Sequence, residues 1–521
     1  MNSTFDLIWM AAERTPGQEA LIDDRTPRAL TYRELILQVE SMAAGFHRDG
    51  IRLGDRVAVA LPNSFELCLA VIALQRLGAV PALMNFRLPG QQIAALIRQG
   101  KMRGAVIQKD YHLAITVAEA LPENKILFCV GDTQGPARAL SECAGDSRHL
   151  PPRPALQPND PTLIFYTSGT TGSPKAVVIK HCADDRRITW VSPIIGLRCG
   201  PELRTLGLAP LYHAIGCHGS FLATLALNGT YYVMSAFDAA KAVEMIEHRQ
   251  ITYLFAVPTV FQAIISAPNY APDKLRSLKH VVSGGATSPP RLLERMCREW
   301  PGEVINAYGS TEANFVLYAR APAAGRHRIL QPGFPARIRV VRFDGGPDDV
   351  CPLGEAGELI VDATVDGVFS GYLDNPAETA AKLRDGWYFT GDTCVAREDG
   401  QVELIGRADD MIRSGGESIY PEEVEAIIAN HPGVAEVCVA GIPNQFWGQA
   451  VVACVVRRDP RVTHHDLDTL CVTSALAGFK RPKAYFFVNE LPKNQSNKVQ
   501  RSAVCERILS DTSEGLQFIA A

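Results

Sequence analysis

The sequence predicts an α/β protein. It should have a large N-terminal domain of two helix-covered, mainly parallel sheets with a small β subdomain, and a small α+β C-terminal domain. Three observations predict this. Strand-like and helix-like segments alternate through most of the chain, the pattern of a parallel sheet covered by helices. From about Gly333 to Tyr388 the alternation gives way to short strands broken by glycines. After "LIGRADDMIRSGGESIYP" the character changes again, over a final stretch of about 110 residues, a usual size for a domain. The expected division is 1–408 and 409–521.

The elements follow in order. "DRVAVAL" (Asp55–Leu61) reads as a strand and "FELCLAVIALQRL" (Phe65–Leu77) as a helix stopped by Gly78. "AVPALMN" is extended, "QQIAALIRQG" helical and "GAVIQ" extended, which completes a βαβαβ unit. A second series, "TLIFYTS", "RTLGLAPLY", "TYYVMSA", "ITYLFAVP", "KHVVSGGA" and "EVINAYGS", reads as strands with helices between most of them. Several end in Gly, Ser, Thr or His, at the carboxyl edge where open α/β sheets bind ligands. "PEEVEAIIANHP" reads as a helix with Pro421 near its first position, acidic residues in its first turn and His431-Pro432 at its end. "AEVCVAGIP", "AVVACVVRR" and "AYFFVNEL" are strands of the last domain.

Length and composition narrow the class. A chain of 521 residues is too long for one core. A net charge of -4 gives no bulk attraction for nucleic acid or an anionic membrane. No run approaches the roughly 18 apolar residues of a membrane span, and the N-terminal stretch lacks the basic start of a secretory leader. The 13 cysteines are scattered without a C-x-x-C pair, so reduced core thiols in a cytoplasmic protein are expected. Cys217 reads as a small apolar filler.

Five stretches carry chemistry. "YTSGTTGSPK" offers the hydroxyls of Thr167, Ser168, Thr170 and Thr171, close backbone approach at Gly169 and Gly172, and the charge of Lys175, a phosphate-binding set that does not match the usual P-loop spacing. "NAYGSTEA" (Asn306–Ala313) supplies Tyr308 for stacking on a base, Gly309 for close approach, Ser310 and Thr311 as donors, and Glu312 as a hard oxygen ligand for Mg²⁺. "WYFTGD" ends at Asp392, a carboxylate able to accept from both ribose hydroxyls. "GRADDMIRSGGES" holds Arg407, Asp409, Gly415 and Gly416. "LPKNQSNKVQR" holds Lys498. Each stretch taken singly has an ordinary reading as a turn, a cap or a solvated lysine.

In this order and spacing they resemble the adenylate-forming superfamily of acyl-CoA synthetases, peptide-synthetase adenylation domains and luciferases, from "LTYREL" to "NKVQR". "LGAVPALMNFRL", "APLYHAIGCHGSF", "LNGTYYV", "NQFWGQAV" and "GFKRPKAYF" are most similar to its aryl-CoA ligases, in particular those activating chlorobenzoate. The resemblance implies two half-reactions. A carboxylate attacks ATP to give an acyl-adenylate and pyrophosphate, and the thiol of coenzyme A then displaces AMP. By position, Thr167–Gly172 and Lys175 would enclose pyrophosphate and Glu312 would hold Mg²⁺. Gly285, Ala286 and Asn306, Ala307, Tyr308 and Gly309 would line the adenine site. Thr311 would bind the α-phosphate, Asp392 and Arg407 the ribose, and Lys498 would bridge the carboxylate and the α-phosphate. The small domain would rotate about Asp409, moving Lys498 out and Gly415-Gly416 in. Arg87, Trp447, Phe479 and Arg481 would hold the CoA nucleotide.

The resemblance also places an acyl pocket at Trp190, His213, Ala214, Ile215, Ser283, Gly284, Ala307, Gly309, Asn314 and Phe315, with His213 between the pocket and the thiol tunnel. The chlorobenzoate-activating members carry Phe, Ile, Met and Asn at the positions of Trp190, Ala307, Asn314 and Phe315. The polar groups of Asn314 and Ser283 therefore favour a benzoate with an amino or hydroxy group, 2-aminobenzoate first. The expected partners are that aromatic carboxylate, ATP and CoA, without nucleic acid or membrane, and a homodimer is compatible. The alternatives are a stand-alone adenylation enzyme loading a carrier protein, a medium-chain acyl-CoA synthetase, a luciferase-like oxygenase and a non-catalytic binding protein. "PLYHAIGCHGS" lacks the Asp of amino-acid-loading relatives, and the CoA-site residues argue against the oxygenase.

Overall fold

The computed structural model describes residues 3–511 apart from 27, 124, 132–134, 168–173, 323–325, 366 and 494–498. Among them the strands form three sheets. In the first, Arg56–Ala60 lies between Val80–Leu83 and Gly104–Ile107, parallel to both, as the βαβαβ reading requires. In the second, Thr230–Val233, Arg204–Gly207, Tyr253–Ala256, His280–Gly284 and Glu303–Ser310 run side by side and parallel. Their carboxyl ends therefore share one edge.

The helix Phe65–Arg76 buries every residue but Glu66. It belongs to a core cluster that draws on both sheets, with Val57, Leu83 and Phe165 from one and Tyr231, Val282 and Ile305 from the other. A helix enclosed on all sides should be apolar all round, and this one is up to its last turn, where Gln75 and Arg76 are also buried. The helices Ala239–Arg249, Pro258–Ile265 and Pro290–Glu299 instead bury one stripe and cover the outer face of the second sheet. Gly90–Gln99 and Tyr111–Ala118 cover the outer face of the first. The two-sheet α/β class read from the sequence thus holds.

Three expectations need correction. The glycine-rich strands of the β subdomain do not stand apart. Ile338–Val341, Ala356–Asp362, Trp387–Ala396 and Val402–Arg407 continue the second sheet through Ile329–Pro332. Gly371–Tyr372, read with that subdomain, pairs with Lys175–Lys180 of the first sheet. The helix expected to reach His431-Pro432 ends at Ile428. The last turn is instead a succession of turns that feeds Val434–Asn444.

The third sheet takes all its strands from beyond Met411. Val434–Asn444 and Gly448–Arg457 form its long antiparallel pair, and Ala484–Val488 adds parallel to the second of these. None of the 13 cysteines forms a disulfide, and Cys217 is buried as the filler its sequence context suggested. No helix among the described residues is long and apolar enough to cross a membrane.

Candidate active site

The opening loop of the phosphate motif is the connection of an antiparallel pair. Pro161–Thr167 and Lys175–Lys180 run side by side, with Thr167 opposite Lys175. The Thr167 hydroxyl donates to the Lys175 carbonyl at 3.4 Å. Ser168, Gly169, Thr170, Thr171 and Gly172 lie outside the described residues, as does Lys498. Lys175 forms an ion pair with Glu378, and its ammonium stands 5.4 Å from the centre of the Tyr372 ring.

"NAYGSTEA" is a hairpin tip, where a strand running into a helix cap was the ordinary reading. Glu303–Ser310 pairs antiparallel with Asn314–Arg320, and a register shift falls at Tyr308/Gly309. A side chain at Gly309 would strike the Asn314 carbonyl, so glycine is required there. Thr311 and Glu312 occupy the turn between the strands. The Tyr372 hydroxyl donates to Glu312 Oε1 at 2.9 Å, and Phe369 N–H donates to the Glu312 carbonyl at 2.7 Å. Among the described residues no group of three or more His, Cys, Asp or Glu side chains is placed to hold a metal. A single glutamate in a half-buried turn fits Mg²⁺, which is bound by one or two carboxylates with substrate phosphates and water completing its shell.

Asp392 and Arg407 face each other across adjacent antiparallel strands. Arg407 Nη1 donates to Asp392 Oδ1 at 3.2 Å, and the Tyr308 hydroxyl donates to Oδ2 at 2.5 Å. Burial pushes the Asp392 carboxyl above its usual range, opposed by Arg407 and Tyr308. Burial works against the Arg407 charge, but Asp392 and Asp409 outweigh it and raise its pKa. A half-buried carboxylate held from two sides keeps a fixed orientation, and it can still accept from ligand hydroxyls through its remaining lone pairs. Asn306 is buried, and its amide donates to the His327 carbonyl at 2.8 Å. That bond ties the strand Glu303–Ser310 to the turn that precedes Ile329–Pro332. Ala286 is exposed beside Gly285, which has φ +81°.

The acyl residues converge. A Cβ on Gly285 would lie 2.6 Å from Ile215 Cδ1, and one on Gly284 would lie 3.0 Å from the Ala307 carbonyl and 3.3 Å from the Phe255 ring. Phe255 and Phe315 meet edge to face at 6.3 Å. His213 packs on Tyr212 at 4.6 Å, with Ala214 next to it at the start of a π-helical segment, Ile215–Leu222. Such segments are rare and occur often at functional sites. His218 in this segment is fully buried, and its Nε2 lies 2.6 Å from Asp184 Oδ1. Burial lowers the His218 pKa against the pull of Asp184, so the neutral ring donates to the carboxylate. Trp190 lies on the helix His181–Ile195, with its side chain outside the described residues. One expectation changes: the Ser283 hydroxyl is buried and bonded to the Ser288 hydroxyl at 2.9 Å, so it does not face the pocket as a free group. Asn314 is half-buried in the left-handed region at φ +61°.

The residues expected to meet CoA fall in two places. Gly415, Trp447 and Arg481 lie in the third-sheet domain. Gly415 N–H donates to the Trp447 carbonyl at 2.8 Å, and Gly415 packs on the indole. Lys483 stands 4.9 Å from the centre of that ring. Arg481 is paired with Asp468 at 3.3 Å, Phe479 is exposed, and Gly416 faces open space. Arg87 is exposed on the first sheet's side, over Phe86 at 5.3 Å. Asp409 pairs back to Arg407 at 3.5 Å, while Asp410 pairs forward to Arg501 at 3.4 Å. Tyr372, Glu378, Phe255 and Arg187 were not among the expected site residues. None of them sits in a motif, although the glycines facing Phe255 were a usable signal.

Asp392, Arg407 and Tyr308 form a polar cluster, and Phe255, Phe315 and the glycines Gly284 and Gly285 gather near the carboxyl edge of the second sheet, an arrangement that suits an adenylate-forming enzyme. The sequence profile of the AMP-binding enzymes matches residues 8–373, and that of their C-terminal domain matches residues 423–498. The chain belongs to the AMP-binding enzyme family. It is 41% identical over 510 residues to a 4-chlorobenzoate–CoA ligase of Arthrobacter sp, covering 97% of this chain and 95% of that one. It is 41% identical over 460 residues to a 4-chlorobenzoate–CoA ligase of Pseudomonas sp. (strain CBS-3), covering 88% and 85%. It superposes with a TM-score of 0.80 on the O-succinylbenzoate coenzyme A synthetase of Bacillus subtilis in complex with ATP and magnesium ion, at 25% identity over 95% of this chain and 98% of that one. The adenylate-forming resemblance read from the motifs is borne out.

Proposed function

We propose that the protein is an AMP-forming aryl-CoA ligase of the cytoplasm, an acid–thiol ligase that activates a benzoate-type carboxylate with ATP and transfers it to CoA. The observation that carries this is the near-full-length similarity to 4-chlorobenzoate–CoA ligases. The geometry supports it. The Asp392 carboxylate, oriented by Arg407 and Tyr308, accepts from the ribose. Thr311 donates to the α-phosphate, and the loop from Thr167 to Lys175 encloses pyrophosphate. Bound at Glu312, Mg²⁺ supplies charge neutralisation to the phosphates. Lys175 leaves Glu378 to meet the leaving group, and Lys498 holds the carboxylate and the α-phosphate together as oxygen attacks phosphorus.

The hinge reading assigns 1–408 and 409–521 to two bodies that meet at Asp409. The opposed ion pairs of Asp409 and Asp410 support it, because the adjacent carboxylates face one body each. Rotation replaces Lys498 with Gly415-Gly416 and admits the thiol.

For the ring, the aromatic wall of Phe255 and Phe315 and the glycine floor suit a flat acid. Asn314 favours a hydrogen-bonding substituent, with 2-aminobenzoate as the substrate proposed. Similarity to the chlorobenzoate ligases favours 4-chlorobenzoate as the second reading. ATP–pyrophosphate exchange across aromatic and aliphatic acids tests the class, with exchange expected for benzoates. A much higher kcat/KM for 4-chlorobenzoate than for 2-aminobenzoate decides for the second reading.

A further inference from the structure

Arg187 is the largest fully buried side chain among the described residues, and it has no close carboxylate partner there. Its guanidinium donates to three backbone carbonyls instead: Nε to Gly367 at 2.8 Å, Nη1 to Thr311 at 2.9 Å, and Nη2 to Glu312 at 2.8 Å. Burial lowers its pKa to about 10, with the charges of Asp184 and Glu312 opposing that. It therefore remains a cation at pH 7. A buried, charged fork is costly to desolvate, and an apolar side chain of the same volume would pack there more cheaply. What an apolar group could not do is fix two consecutive carbonyls of a turn.

That turn is the hairpin tip bearing Thr311 and Glu312. Hairpin tips are otherwise the loosest part of a sheet. This tip is held three ways: by the Arg187 fork, by Phe369 N–H on the Glu312 carbonyl, and by the Tyr372 hydroxyl on Glu312 Oε1. The fork fixes the backbone, and the Tyr372 hydroxyl fixes the carboxylate and leaves Oε2 outside that bond. Tyr372 burial and the Glu312 charge both push the phenol's pKa up, so it stays a donor. Arg187 in turn lies on the helix that carries Asp184, whose carboxylate holds His218 of the π-helical segment. One helix thereby ties the phosphate-side turn to the acyl-side wall.

We propose that Arg187 and Tyr372 are positioning residues that set the Glu312 carboxylate and the Thr311 turn for metal-bound nucleotide. This rests on the adenylate-forming reading above. Planar forks and outer hydrogen bonds of this sort orient ligands, and their loss typically costs ~10- to ~100-fold in metal affinity or activity.

The test measures the Mg²⁺ concentration that half-saturates ATP binding, by titration calorimetry on the full-length protein. Thioester formation from supplied aryl-adenylate and CoA is followed in parallel. Arg187→Lys keeps the charge but loses the fork, and Tyr372→Phe removes only the hydroxyl. Each is expected to raise the half-saturating Mg²⁺ by ~10-fold or more, with thioester formation from the adenylate within ~3-fold of wild type. Unchanged Mg²⁺ dependence in both variants, or equal loss in both half-reactions, overturns the proposal. If Arg187→Lys does not fold, Tyr372→Phe decides it alone. Wild-type ATP binding that is indifferent to Mg²⁺ overturns the adenylate-forming reading of Glu312 together with the proposal. A Mg²⁺-dependent wild type with unaffected variants overturns the proposal alone.

Discussion

Asp392 concentrates the chemistry of the nucleotide end in one side chain. It is half-buried, it accepts from Arg407 and Tyr308, and it sits on a strand whose neighbour presents its partner directly opposite. Hydrogen bonds to a charged group are worth about 1.5–3 kcal/mol. Asp392→Asn should therefore raise the KM for ATP in pyrophosphate exchange by roughly 10- to 100-fold. An unaltered KM would remove the ribose role. Gly285 makes a second residue-scale prediction. Its φ of +81° strains any side chain there, and a methyl group would also have to displace the end of the Ile215 side chain, 2.6 Å away. Gly285→Ala should destabilise by more than about 1 kcal/mol in denaturant unfolding, as alanine does at positive φ. At this scale the sequence was legible where a residue lies in a motif, as Glu312 and Asp392 do. It was silent on Tyr372, which acts on Glu312 from 60 positions away. It was silent on Arg187 because backbone carbonyls accept from it, and those leave no trace in residue type.

Among the elements, the strands of the parallel sheets were read within a few residues because buried apolar runs bounded by glycines have few other readings. The hairpin at Glu303–Arg320 was not, because polar residues at a strand end suit a turn or a helix cap equally. The helix Pro421–Ile428 shows what packing adds. Its Glu422 carboxylate presses on Gly406 of the strand Val402–Arg407, and Arg501 donates to it at 3.0 Å. Burial pushes the Glu422 pKa from its ordinary 4.5 up to about 7, against the pull of Arg501. The folded form then binds the proton more tightly than the unfolded one. The resulting stability is complete below the unfolded pKa and is lost as pH rises to about 7. Glu422→Gln has no proton to lose. Between about pH 5 and about pH 8 its stability relative to wild type should shift in its favour by on the order of 1–3 kcal/mol. A pH-independent difference in urea midpoints between the two proteins would contradict this.

Over the whole molecule, the account depends on two bodies using one site in turn. The groups proposed for adenylation lie on the large body, except Lys498. The groups proposed for thiol delivery lie mostly on the small body, around Gly415, Trp447 and Arg481. Proline at 409 restricts φ at the joint. Asp409→Pro should spare pyrophosphate exchange and block thioester formation, and unimpaired CoA transfer by that variant would end the hinge role. Lys498→Ala should abolish adenylate formation far more than thioester formation from supplied adenylate. The change of character near Asp409 is the sequence's ground for proposing this division, while composition held no sign that the β strands before it extend the second sheet. Strand pairing between distant segments is set by shape and edge geometry, which composition does not encode. The most direct test of the central claim is mass-spectrometric detection of products from the purified protein with ATP, Mg²⁺, CoA and a benzoate. The account predicts aryl-CoA, AMP and pyrophosphate in equal amounts, with no thioester when CoA is omitted. AMP release without aryl-CoA, or no turnover with any aromatic acid, would contradict it.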